Sequence, residues 1–175
     1  MNTLEAIAKR KSTRAYRPEK ISEEILNEII KAGCSAPVAM AQYESLHITI
    51  IQNEEMISRI NEMTSAMFSI RTGVKKNTDF GARTMLLVSS KHTMLPPEME
   101  YANVGIVVEN MIIAATDLGV DSVVLGGAPA IISENEELVQ ELGIPNGFRP
   151  VLGAFLGYAV VDEPAKVHTI SVNRV

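Results

Sequence analysis

Cysteine occurs once, at Cys34, and tryptophan not at all, in a chain of 175 residues. One thiol excludes an intrachain disulfide, and a reducing, cytoplasmic setting is the natural expectation. The three histidines, His47, His92 and His168, have no metal-ligand spacing. Neither a G-x-G-x-x-G run nor a P-loop occurs, which argues against the usual dinucleotide and triphosphate loops. No uncharged apolar stretch approaches the ~20 residues needed to span a bilayer, and the first residues are charged and amphipathic instead of forming an apolar signal core. Neither an internal repeat nor a low-complexity segment is present. A net charge of −5 with 5% aromatic residues argues against nucleic acid or an anionic membrane as partner.

What is there suffices for a packed core: 46% of residues are hydrophobic and 21% charged. The length predicts a single domain over residues 1–175, with no room for a separate cofactor module. Six of the 16 basic residues (Lys9, Arg10, Lys11, Arg14, Arg17 and Lys20) fall in the twelve residues from 9 to 20. A uniform spread would put about one there.

Asn2 and Glu5 form a helix-start signature ahead of Leu4, Ile7 and Ala8, and the first helix ends on the basic residues, which its negative pole favours. Ser22 caps a second helix with Ile25, Leu26, Ile29 and Ile30 on one face, stopped at Gly33. Cys34-Ser35-Ala36-Pro37 then breaks the pattern. Residues 46–51 and 84–89 read as strands, and Asn53 caps a helix carrying Met56, Ile57 and Ile60. Residues 69–83 have no period and suggest a surface loop around Lys75 to Asp79. From Tyr101 to Leu118 there is almost no polar face, so this helix must be buried on nearly all sides, and a partner chain is expected to cover part of it. A short strand, Val123 to Leu125, leads into Gly126-Gly127. Ser133 to Glu136 reads as a capping box opening a helix that ends at Gly143, and the last strand spans 151–156. The tail from Tyr158 has no helical period and is free to extend away.

Several of these features bear on chemistry, each with a plainer alternative. Arg10-Lys11-Ser12-Thr13-Arg14 combines three cations and two hydroxyls, the donors a phosphate monoester needs; the same run is also what a solvated helix end looks like. Gly126-Gly127 permits a flat ligand to approach backbone N–H groups, or is a plain turn. Lys166 and His168 would project to one side of an extended tail and add charge to a phosphate site, or are scattered polar residues. Cys34 reads as a small buried hydrophobe, since no neighbour in sequence supplies a base. Glu109 and Asn110 interrupt the apolar helix and are expected to find partners at an interface.

In order and spacing these segments resemble one family. Arg10-Lys11-Ser12-Thr13-Arg14 ahead of Tyr16, Ala36-Pro37 before a strand, Asn103-Val104-Gly105 through Asn110-Met111 to Asp117-Leu118-Gly119-Val120, and Ile144-Pro145-Asn146-Gly147-Phe148-Arg149-Pro150 leading to Leu156-Gly157-Tyr158 together resemble the FMN-dependent nitroreductases. The resemblance implies an α+β fold, a central mixed sheet flanked by helices, and an intertwined homodimer with FMN at its interface. It also implies that Arg10, Lys11, Ser12 and Arg14 hold the phosphate, the ribityl chain and one ring edge. Pro37, Val38 and Ala39 would supply backbone contacts, and Val124, Leu125, Gly126 and Gly127 would line one ring face. Lys166 and His168 would add basic ligands from the tail.

After Ala36-Pro37 the family usually reads Ser-Ala, a variable residue, Asn, another variable residue, then Gln-Pro-Trp. Here Val38-Ala39-Met40-Ala41-Gln42-Tyr43-Glu44-Ser45 follows, so Ala41 stands where an Asn would meet the flavin. The implied activity is hydride transfer from NAD(P)H through FMN to a nitroaromatic, quinone or similar acceptor. The substitution at Ala41 keeps a flavin-binding or scaffold dimer with little turnover as the alternative.

Overall fold

The computed structural model describes residues 1–175. Its elements run α1 (Thr3–Lys9), α2 (Glu23–Cys34), β1 (Leu46–Ile51), α3 (Glu54–Thr72), β2 (Thr84–Lys91), α4 (Pro97–Asp117), β3 (Asp121–Leu125), α5 (Gly127–Ser133), α6 (Glu136–Glu141) and β4 (Phe148–Gly157). The four strands form one sheet in the order β1-β2-β4-β3, antiparallel throughout. Helices cover both faces, the α+β layout expected. The mixed character is confined to one parallel bridge, Ser12 to Ser122, where the segment after α1 lies along the outer edge of β3.

β2 is apolar on both faces because it sits inside the sheet, where alternate side chains serve different layers. Leu86 and Val88 face the layer of α2 and α4, packed with Leu26, Ile29, Val104, Val108 and Met111. Met85 and Leu87 face the layer of α3, α5 and α6, packed with Ile57, Ile60, Ile132, Leu138 and Phe155. The helix starts obey local chemistry: Asn2 and Glu5 complete a reciprocal capping box on α1, while Ser22 and Asn53 accept from Ile25 and Met56.

Three sequence expectations are corrected. Ser133 does not open a helix: it ends α5, its hydroxyl donating to the Ala130 carbonyl at 2.8 Å, and Asn135 caps α6 instead. Gly33 does not stop α2 but lies inside it, because α4 crosses there. A Cβ at Gly33 would stand 2.7 Å from Met111 Cγ, so the absent side chain is what lets the two helices close. Cys34 is exposed, not buried. In addition, α3 runs on to Thr72 before a left-handed Gly73 ends it, shortening the irregular stretch.

Helix α4 is buried along most of its length, yet Ala102, Ile106 and Glu109 remain exposed and Gly105 and Ile113 half-buried. Their spacing puts them on one stripe, nearly without charge. Asn110 donates to the Ala32 carbonyl at 3.2 Å, joining α4 to α2. No helix is long and apolar enough to cross a membrane.

Candidate functional site

The basic segment is held to the sheet by its own backbone. Thr13 N–H donates to the Ser122 carbonyl at 2.9 Å, and further along Arg17 N–H and Val160 N–H tie it to the start of the tail. Extended backbone alternates its side chains. Thr13 is buried, with its hydroxyl 3.3 Å from Asp121 Oδ1, and Lys11 also turns to Asp121, whereas Ser12 and Arg14 stay exposed. Lys11 forms its shortest ion pair with Asp162 on the tail. The hydrogen bond to Asp162 raises the Lys11 pKa, and the same contact lowers that of Asp162. Tyr16, two residues past Arg14, has its phenol pushed upward by burial, its hydroxyl 3.4 Å from the Phe155 carbonyl.

Two compartments meet at Arg14. The polar one, about 570 Å³, is lined by Arg10, Lys11, Ser12, Arg14, Lys166 and His168 among others, with Glu163 its one acid. Residues 155 positions apart in sequence thus share one cavity. Arg10, Arg14 and Lys166 enter none of the chain's ion pairs. Unpaired guanidinium and ammonium groups gathered in one place, in a chain of net charge −5, form a ready site for an anion.

The second compartment, about 260 Å³, is mainly apolar: Val124, Leu125, Gly126 and Gly127 lie on one side, and Asn61, Thr64, Phe68, Lys76, Thr78 and Phe80 come from α3 and the loop after it. No Asp or Glu lines it. Gly126 has an ordinary φ of −104°, so its side-chain-free state is not required by the backbone. A Cβ there would meet nothing within 4 Å, which leaves open space beside its backbone.

Pro37, Val38 and Ala39 line neither compartment. Val38 is buried in the layer of α2 and α4, on the other face of the sheet, and Ala39 N–H donates to Asn103 Oδ1 at 3.0 Å. Beyond them Met40 and Ala41 take φ of 53° and 54°, left-handed values that are costly for residues with a Cβ.

Sequence reasoning grouped Arg10, Ser12, Arg14, Lys166 and His168 with the Val124–Gly127 run; the structure puts the first five on the polar cavity and the run, with Arg14, on the apolar one. It missed the wall from α3. Asn61, Thr64 and Phe68 recur at helical spacing on one face, which was the available signal; that Asn61 Oδ1 accepts from Thr78 N–H and Oγ1 (both 2.8 Å) and from Asp79 N–H (3.0 Å) is a long-range fact with none.

Residues 7–158 match the model of the Nitroreductase family. An Archaeoglobus fulgidus protein named "Putative NADH dehydrogenase/NAD(P)H nitroreductase" is 28% identical over 156 residues, covering 89% of this chain and 84% of that one. The crystal structure of a nitroreductase with bound FMN from Desulfitobacterium hafniense superposes with a TM-score of 0.85 at 25% identity, covering 99% of this chain and all of the other (100%). One from Bacteroides fragilis, also with bound FMN, gives 0.83 at 26% identity, covering 100% and 97%.

Proposed function

The chain belongs to the nitroreductase family, and on that premise we propose that it is an FMN-dependent oxidoreductase passing reducing equivalents from NAD(P)H to a nitroaromatic, quinone or similar acceptor. The observation that carries the proposal is the cleft of two unlike compartments sharing Arg14. FMN has the matching polarity, a dianionic phosphate at one end and a flat, largely apolar ring system at the other. The donor set suits it: Arg10, Ser12 and Lys166, with His168, would hold the phosphate end, and Arg14 would lie between chain and ring. Lys11 has less to offer an anion directly, because its ammonium is already taken by Asp162 and Asp121; its proposed task is to hold the tail where Lys166 can reach the cavity. The backbone of Val124 to Gly127 would flank the ring, with Gly126 giving close approach.

FMN when bound supplies the hydride-accepting and electron-passing chemistry itself. The chain's own residues bind, orient and charge the site. Arg14 would offer positive charge to a flavin that becomes anionic on reduction, and Phe68 and Phe80 offer aromatic surface to a planar substrate. In the overall reaction with a nitro compound, NAD(P)H gives a hydride and solvent a proton. The nitro group is reduced to nitroso, one oxygen leaves as water, and NAD(P)⁺ is the oxidised product.

A homodimer is part of the same proposal. The exposed stripe of α4, Leu4 and Ile7 on α1, and Val167, Ile170 and Val172 on the tail are apolar surfaces without a partner in one chain. Pro37, Val38 and Ala39 would then complete the cleft of the second copy, since they are turned from their own.

The test is an absorption spectrum and sedimentation analysis of the purified protein. A yellow dimer whose flavin bleaches anaerobically with NADH or NADPH is expected. A colourless protein that takes up no added FMN refutes the reading. Flavin that stays oxidised under both donors indicates a binding protein without turnover, the outcome that the Ala41 substitution would favour.

A further inference from the structure

We propose that Lys76 sets the substrate class of the apolar compartment: a planar aromatic acceptor carrying a carboxylate or similar anionic group, stacked on the Phe68 and Phe80 side with its charge at the Lys76 ammonium. The inference rests on the flavin reading above and goes past it to the acceptor.

Arg14 and Lys76 are the only charged residues lining this compartment. Arg14 faces the polar cavity as well and is committed to the cofactor in the reading above. Lys76 is not so committed. It enters no ion pair, and its ammonium lies 5.8 Å from the centre of the Phe80 ring. The one acid close to it in the loop, Asp79, is turned elsewhere, its carboxylate accepting from Gly81 N–H at 2.8 Å and lining a separate hollow with Arg83.

The backbone that carries this cation is held by α3. Ser65 Oγ donates to the Lys76 carbonyl at 2.6 Å, and two residues on Asn61 gathers three donors from Thr78 and Asp79. The Lys76 backbone is thereby anchored at its own carbonyl and just after it, so less ordering of this part of the loop is needed when a ligand binds. A cation beside aromatic walls, with no carboxylate of the chain to satisfy it, is complementary to an aromatic acid. A neutral acceptor gains only the stacking, and a cationic one is repelled.

The experiment uses FMN-loaded protein. Benzoate and benzamide, which are not reduced, are titrated against the flavin band, and kcat/KM is measured for 4-nitrobenzoate and 4-nitrobenzamide. The acid is expected to be favoured about fivefold over the amide, the scale of one well-placed exposed charge pair. Lys76→Ala should bring that ratio to about one and raise the benzoate Kd about fivefold, and Lys76→Arg should restore both. High salt should weaken the preference. An unchanged ratio in Lys76→Ala overturns the inference. So does a change confined to the NADPH over NADH ratio, which would assign the anion to the donor. A protein with no flavin band overturns this inference together with the cofactor reading; a band present with an unchanged ratio overturns this inference alone.

Discussion

Replacing Gly126 separates the fold from the cleft. At φ −104° any residue is allowed, and a Cβ at this position meets no atom of the chain within 4 Å. Gly126→Ala should therefore leave the apoprotein within about 0.5 kcal/mol of wild type, or stabilise it by up to about 1 kcal/mol through lost freedom in the unfolded chain. The same methyl at Gly33 would come within 2.7 Å of Met111 Cγ, and at Gly153 within 2.6 Å of the Leu86 carbonyl. Crowding of that kind costs about 1–3 kcal/mol, so those variants serve as the contrast. If the ring of FMN lies against the Val124–Gly127 backbone, the alanine methyl displaces it from contact and should raise the FMN Kd at least tenfold, about 1.4 kcal/mol. Gly126→Val should leave no measurable binding. Urea unfolding of the apoproteins gives the first quantity, and flavin fluorescence quenching gives the second. A folded Gly126→Val protein that binds FMN as tightly as wild type would refute the assignment of this groove to the ring.

Three further outcomes follow from named contacts. Ile106→Glu puts a charge in the middle of the exposed α4 stripe and should shift the protein to monomer in sedimentation velocity at concentrations where wild type is dimeric. Asn61→Ala leaves three loop donors without their acceptor and should cost about 1–3 kcal/mol, with faster hydrogen exchange at Thr78 and Asp79. The Lys11–Asp162 pair should tether the tail in a definite pH window: the Asp162 carboxyl is held below its usual 3.8, so its contribution is present above that value and is lost as pH falls through the lowered one, while Lys11, raised above 10.5, loses its share only as pH rises beyond that. Exchange protection of the Val160 amide, which donates to the Ala15 carbonyl, should be flat from neutral pH to mild acid and fall about two- to fivefold in Asp162→Asn, the scale of an exposed ion pair. Loss of protection near neutral pH in wild type would contradict this.

Local signals carried most of the fold. Asn2, Ser22 and Asn53 announce helix starts because a capping side chain acts within three residues, and the doubly apolar Met85 to Val88 marks a strand covered on both sides. Gly33 and Ser133 misled for different reasons: a contact from far away, Met111, overrides the local pattern of the glycine, whereas the serine closes the helix before it, its hydroxyl bonded to Ala130 three residues back. In the cleft, residues whose character is charge or lack of a side chain stood out, whereas the α3 wall did not. Phe68 looks like any helix apolar residue until the loop anchored on Asn61 places Phe80 across from it. The alternation of side chains along 10–14 was equally hidden, because only pairing with β3 decides that Lys11 turns to Asp121 and Arg14 does not.

The stretch that carries the basic cluster also closes a sheet edge. β3 is the outermost strand on its side, and Ser12 and Thr13 occupy backbone groups of Ser122 that would otherwise face outward. An uncovered strand edge is a template for pairing with other molecules. The residues that offer cations to the cavity thus also cap the edge strand by their backbone, so a change that pulled this segment from β3 would bare that edge and dismantle the cavity together.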